Sequence, residues 1–398
     1  MIIRLLSSLF LIASLLFTVS MHAQWESVAS LPMDERHHPV TFSIDGIGYV
    51  LTGSTPSTFA TNDFARYIPD MDAWETMDDF PGPARSFSYG IAYEGKGYVG
   101  FGRNLDQHLN DMWSFDPQTG EWNELAVCPC QGRTHPAFLE AGGVIYVGLG
   151  NNNGDLKDWW AYTIANDSWK EIAEFPGPQR HHPYQFTIDD VPYAGFGHHQ
   201  SDIYNTFYRY NVEDDTWTQM NDFPGEGRVA GTQFSYNGKG YVLSGQGEDH
   251  TNFEVGEFWE YDQLTDSWEV MPSHPGSGRW APGSFLIENE VYFLAGRADE
   301  GDKNDMMRYI LPLSPTSVFE VEAKEINIYP NPVSIEFSIS GNDQEVKSLE
   351  IRNSVGQVVL SLSNPGKTVY TADLSSGTYF VSMVMEDDSL SVGRFIKK

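Results

Sequence analysis

The chain has 398 residues, with 24 Lys and Arg against 55 Asp and Glu, a net charge of −31. That balance excludes a nucleic-acid-binding surface, which needs clustered cations. An apolar content of 40% excludes a disordered chain, and two cysteines exclude a disulfide framework.

Residues 1–23 read as a secretory signal peptide: Arg4, an apolar run from Leu5 to Val19, then small Ala23. The apolar run is short for a spanning helix, and no other segment has spanning length. The mature chain is therefore expected to start at Gln24, outside the cytoplasm, with no transmembrane segment. No D-x-[DN]-x-[DN]-G calcium loop occurs.

From Trp25 onward the chain repeats. Trp25, Trp74, Trp122, Trp169, Trp217 and Trp268 recur at spacings of 49, 48, 47, 48 and 51. Eleven residues after each comes an arginine: Arg36, Arg85, Arg133, Arg180, Arg228, Arg279. Thirteen further on comes Tyr49, Tyr98, Tyr146, Tyr193, Tyr241 or Tyr292, and four later Gly53, Gly102, Gly150, Gly197, Gly245 or Gly296. Each unit reads as four short strands. The first starts near the arginine; a tight turn such as Asp45-Gly46 leads to the second, the Tyr-Val run. The third holds a D-x-x-x-Y pattern with Asp63, Asp111, Asp158 and Asp305, Thr206 and Glu257 being the exceptions; the fourth holds the tryptophan. Four antiparallel strands per unit make a propeller blade. In the sixth unit Thr316 stands where a tryptophan is due, and Trp25 has no strands before it. The N-terminal strand is thus expected to complete the last blade, giving a six-bladed β-propeller over residues 24–314.

Cys128 and Cys130, in V-C-P-C-Q, leave two alternatives, a local bridge across Pro129 or two thiols. One intervening residue does not fit a thioredoxin-like redox pair.

The units resemble kelch repeats in their glycine after an apolar strand and their following Tyr and Trp. They depart from that pattern in Y-V-L-T-G, Y-V-G-F-G and Y-V-L-S-G, where only the second of the paired glycines is kept. The resemblance implies an extracellular binding scaffold. It also admits a sugar-active enzyme, since six-bladed extracytoplasmic kelch-like proteins include a sialic acid mutarotase.

Residues 315–322 read as a linker. Residues 323–398 carry Tyr329-Pro330-Asn331-Pro332, Gly356, the D-L-S-S-G-T-Y stretch with Gly377 and Tyr379, and terminal Lys397 and Lys398. Alternating β-branched and polar residues between turns predict a small Ig-like β-sandwich. The block resembles the C-terminal sorting domain of the type IX secretion system of Bacteroidetes. That resemblance implies recognition by the secretion machinery through residues 323–398, and release or retention at the cell surface.

Propeller topology opens the Trp-to-Arg connection and the loop after each repeated glycine on one face. Only the glycine loop varies in length, running 10, 9, 8, 9, 12 and 9 residues. Variable loops on a rigid scaffold commonly carry recognition. The six arginines are expected to ring the channel mouth there, as forks for an acidic or carbohydrate ligand or as partners of nearby carboxylates. Two steps on lie His38, His135 and His182; period-two alternation puts them on the arginine side and turns His37 and His181 away. Trp280 adjoins Arg279, and the loops add Asn104, Asp106, His108, Asn151, Asn153, His198, His199, Gln200, Glu248, Asp249 and His250. Histidines on separate blades are not expected to converge on a metal, and no cofactor is expected. The leading reading is a secreted or surface module that binds glycan or an extracellular protein, with the sugar-active enzyme as its alternative.

Overall fold

The computed structural model describes residues 25–312, 324–340, 346–353, 358–385 and 390–398. The expected signal segment, the expected linker and Gly356 lie outside the described residues. Contacts divide the chain into two compact units, Met1–Pro312 and Leu313–Lys398.

The first unit is built from antiparallel four-stranded sheets in a propeller-like arrangement. The first repeat is typical: Val40–Ile44, Ile47–Leu51, Phe64–Ile68 and Ala73–Thr76 pair in chain order. Asp45 and Gly46 make its two-residue hairpin turn with φ of 50° and 79°, the positive pair that such turns require. Equivalent sheets begin at the strands Tyr89–Tyr93, Ala137–Ala141, Tyr184–Ile188, Thr232–Tyr236 and Gly283–Ile287. The last takes its outer strand from the other end of the unit. Glu26–Val28 pairs with Met306–Ile310, Glu26 opposite Arg308 and Val28 opposite Met306.

The repeated residues explain how neighbouring sheets hold together. Each repeated glycine donates its N–H to the carbonyl of the next repeat's arginine: Gly53 to Arg85, Gly102 to Arg133, Gly150 to Arg180, Gly197 to Arg228 and Gly245 to Arg279. The series returns on itself when Gly296 donates to Arg36 at 2.9 Å. Glycine is needed for this approach. Gly102 sits at φ 86°, and a Cβ there would lie 2.5 Å from the Ser86 carbonyl oxygen. The tryptophans pack on the third-strand aromatics, with Tyr67 and Trp74 ring centroids 5.1 Å apart. Trp74 Nε1 also donates to the Ala29 carbonyl in the preceding connection. Six residues after each tryptophan stand Leu31, Phe80, Cys128, Phe175, Phe223 and His274, all buried. Cys128 and Cys130 are disulfide-bonded across Pro129.

In the second unit, a five-stranded sheet includes Val346–Asn353, Val358–Ser363, Gly377–Met385 and Leu390–Lys397. A three-stranded sheet holds Asn327–Tyr329, Glu336–Ser340 and Thr368–Tyr370. One core, with Val333, Phe337, Leu349, Ile351, Met383 and Phe395, draws on both sheets. No helix among the described residues is long and apolar enough to cross a membrane.

Candidate functional site

Three layers of side chains follow each repeat inward from its arginine. The arginines themselves form a buried belt. Arg85 Nη1 and Nη2 reach the two oxygens of Asp111 at 2.9 and 2.6 Å, Nη1 reaches the Phe101 carbonyl at 3.1 Å, and Nε reaches the Pro83 carbonyl. Arg36–Asp63, Arg133–Asp158 and Arg279–Asp305 repeat the fork, and Arg228 meets Glu257 at 2.9 Å. Arg180 meets a threonine, Thr206 Oγ1 at 3.1 Å, where the other repeats place a carboxylate, and it stacks on Tyr204 and Phe175. Burial lowers its pKa to about 10. The arginines offered as ligand forks are thus buried, and five of the six are ion-paired within their own repeat.

Two residues after each arginine lie His38, Phe87, His135, His182, Ala230 and Ala281, with φ of 54°, 62°, 50°, 53°, 54° and 51°. The left-handed backbone departs from the extended geometry on which alternation rests. Backbone bonds then link these positions around the axis: His135 N–H to the Phe87 carbonyl, His182 to His135, Ala281 to Ala230, His38 to Ala281. The three imidazoles meet there. His38 Nε2 lies 3.1 Å from His182 Nε2, and the His135 and His182 ring centroids are 3.5 Å apart. This overturns the expectation that separate repeats hold their histidines apart. Burial pushes all three pKa values well below the ordinary histidine value, because it disfavours the charged imidazolium. Beneath them a cavity of about 360 Å³, lined in part by His38, His182, Gln185, Ala230 and Ala281, follows the first strands.

The third layer faces the loops. The residue after each arginine bridges to the residue after each glycine: His37 with Ser54, Ser86 with Arg103, Thr134 with Asn151, His181 with His198, Val229 with Gln246, and Trp280 with Arg297. His37 and His181, expected to turn away, therefore belong to the mouth, again because the left-handed residue beside them breaks the alternation. The His37 ring lies 4.7 Å from Trp280, and burial lowers its pKa to about 4. Arg297 is half exposed, lies over Trp280, and is steadied by Asp302 at 2.6 Å. Arg103 lies over Phe59. Asp155 is 5% exposed and joins two imidazoles, His181 Nδ1 at 2.6 Å and His199 Nδ1 at 2.7 Å. Burial raises its pKa, but the contacts from His181, Asn151 and His199 outweigh it and hold the carboxyl well below the usual range. Burial lowers His198 to about 3.

Of the other expected residues, His250 is exposed with its ring 5.0 Å from His198. His108 bridges to Arg103, and burial followed by the Arg103 charge lowers its pKa. Asn104 caps its own loop, accepting from the N–H groups of Asp106 and Gln107. Asn153 donates to Asn152, Asp249 accepts from Thr251, Glu248 accepts from Gly227, and Gln200 is exposed at φ 52°. Sequence reasoning missed Ser54, Phe87, Arg103, Asp155, Gln246 and Arg297. Ser54, Arg103, Gln246 and Arg297 each follow the repeated glycine by one residue, a register visible in the repeat itself.

Residues 327–398 match the secretion system C-terminal sorting domain family. The tail indicates a secreted or outer-surface protein that meets the type IX secretion machinery. The chain is also similar to N-acetylneuraminate epimerases. Those of Haemophilus influenzae strains PittEE and 86-028NP are 28% identical over 163 residues, 31% of this chain and 44% of theirs. The protein of that name from Yersinia enterocolitica is 33% identical over 87 residues, 20% of this chain and 22% of its own length. The chain thus spans less than half the length of these curated relatives.

Proposed function

We propose that the first unit is a six-bladed kelch-like propeller that binds an acidic sugar at its loop-side mouth, on a protein carried to the cell exterior by its C-terminal tail. The mouth ladder is the observation that carries this reading. The two positions that each repeat presents there vary from repeat to repeat, and together they supply one tryptophan ring, two arginines, three histidines and two amides. An aromatic face takes the apolar face of a sugar ring, and an arginine beside it takes a carboxylate. The epimerase relatives support the choice of sugar class, because their name specifies a carboxylate-bearing amino sugar. Binding of N-acetylneuraminate and of sialylated glycans by the purified chain tests the reading. Trp280→Ala and Arg297→Ala are each expected to weaken binding about tenfold or more, as the loss of a charged hydrogen bond or a stacking face implies. Glycan arrays and calorimetry with no sialic-acid signal would sink it in favour of a protein ligand.

A second reading, an epimerase or mutarotase, is favoured by Asp155 between His181 and His199. A carboxylate that orients an imidazole is the arrangement general acid–base chemistry uses. Exchange spectroscopy of N-acetylneuraminate anomers separates the two readings: a binding module leaves the exchange rate unchanged, whereas an enzyme raises it and loses that gain in Asp155→Asn.

A further inference from the structure

The axial histidines do more than fill space. His38, His135 and His182 are 6%, 8% and 5% exposed, and one ring nitrogen from each lies within 4.8 Å of the other two. Neither ring nitrogen of His135 has a hydrogen-bond partner, nor does His182 Nδ1. An unpaired buried polar atom is a net cost to folding. Packing alone gives no return for that cost, since Phe87, Ala230 and Ala281 fill the equivalent positions with no polar atoms at all. His274 shows the contrast: its Nε2 bonds Ser244 Oγ and its Nδ1 lies 2.9 Å from the Pro275 carbonyl oxygen.

We propose that His38, His135 and His182 form a binding site for one late first-row divalent metal ion, of the zinc class, on the axis of the first unit. Tetrahedral ligation at about 2.0–2.1 Å sets ligand nitrogens roughly 3.3 Å apart. The His38 and His182 Nε2 atoms already stand at 3.1 Å, so His135 makes most of the adjustment. The donor set is three imidazoles with no carboxylate, which suits zinc, nickel or copper and disfavours magnesium and calcium. His37 supplies the outer contact. Its Nδ1 lies 2.7 Å from His38 Nδ1, so His38 can donate from Nδ1 to His37 and present a bare Nε2 to the ion. Three protein ligands leave a fourth position. Ala230 and Ala281 keep the opposite side of the axis small, and the 360 Å³ cavity lined by His38 and His182 gives an outside ligand room to reach it. His181 and His198 form a second cluster with His182. Because His182 is shared, the chain is expected to hold one ion rather than two.

The experiment uses the full mature chain, stripped with a chelator and titrated with Zn²⁺. One ion per chain by elemental analysis, a zinc-dependent rise in melting temperature, and three imidazole nitrogens near 2.0 Å by X-ray absorption are expected. His135→Phe copies the residue of the neighbouring repeat and is expected to weaken zinc binding at least a hundredfold, while His198→Ala leaves it within threefold. No stoichiometric zinc on the wild-type chain overturns the proposal. Fewer than three imidazoles in the absorption spectrum, a reading independent of how well any variant folds, overturns it as well. So does loss of binding in His198→Ala with retention in His135→Phe, which moves the ion to the mouth cluster. Sugar binding is read separately, so failure of the metal site leaves the sugar reading standing and the reverse also holds.

Discussion

Every repeat carries an arginine, and five of the six give it a carboxylate; two residues further on, the same repeats carry three histidines, a phenylalanine and two alanines. The belt and the axis lie two residues apart in every repeat, yet one is uniform and the other is not. Backbone strain does not explain the irregularity of the axis, because all six axial positions share the positive φ, alanines included. What separates them is satisfaction. Arg36, Arg85, Arg133 and Arg279 are forked to carboxylates and carbonyls, and Arg180 and Arg228 each keep at least one partner, whereas His135 has none for either nitrogen. Uniform positions report how neighbouring repeats are held together. Irregular, unsatisfied ones mark where something else is accommodated.

The largest expected effect breaks the belt. Arg85→Ala leaves Asp111 facing Trp113 without its guanidinium and strands the Phe101 and Pro83 carbonyls. Removing one partner of a buried pair costs about 3–5 kcal/mol, because the remaining charge is uncompensated. Urea denaturation of the variant is expected to show a loss of that size. A loss under about 1 kcal/mol would mean that the belt is as dispensable as an exposed ion pair.

Much of this architecture was legible in sequence, and what was not has an identifiable cause. Trp74, Tyr67 and Gly53 recur at fixed intervals because ring packing and a close N–H···O contact tolerate no drift. The completion of the last sheet by Glu26–Val28 followed from the same counting. The Arg–Asp fork was harder, although both residues repeat. Its partners lie 25 to 29 residues apart across the loop that varies, so spacing alone did not join them. The site failed at one step. Alternation was carried from the strands into residues 36–39, where His38 turns left-handed, and this misplaced His37, His181 and the axial imidazoles together. Asp155 gave no signal, because it lies inside the loop and outside the repeat register.

A histidine that is satisfied should behave as packing, and His274 tests that side of the contrast. It occupies the buried position held elsewhere by Phe80, Phe175 and Phe223, and burial lowers its pKa to about 4. The unfolded chain takes up its proton near 6.5, so folding holds fewer protons than unfolding between those values. The contribution of His274 is complete above about pH 6.5 and declines as the pH falls toward 4, by on the order of 2–3 kcal/mol. His274→Phe retains the stacking on Phe293 and removes the titration. Urea midpoints at pH 7 and pH 4.5 are expected to diverge less for the variant than for the wild type. Parallel shifts would show that the acid sensitivity lies in other groups.

The fourth repeat breaks the belt by itself and offers the smallest and most discriminating change. Arg180 is fully buried, its Nη2 has no partner, and Thr206 stands where other repeats place a carboxylate. If the belt exists for stability, this gap is a local defect, and filling it should help. The equivalent carboxylates keep 15% to 46% of their side-chain surface exposed, so a new one would give up only part of its hydration. Against that stands a charged hydrogen bond to a guanidinium that now has only a hydroxyl and two carbonyls. Thr206→Asp is therefore expected to stabilise the first unit by roughly 1–2 kcal/mol, read as a higher urea midpoint with unchanged slope. It should leave sugar and zinc binding where they were. Arg180 and His182 are two residues apart, so a stabilised variant that lost either ligand would show that the open belt position serves the site, and that belt and axis are one device rather than two.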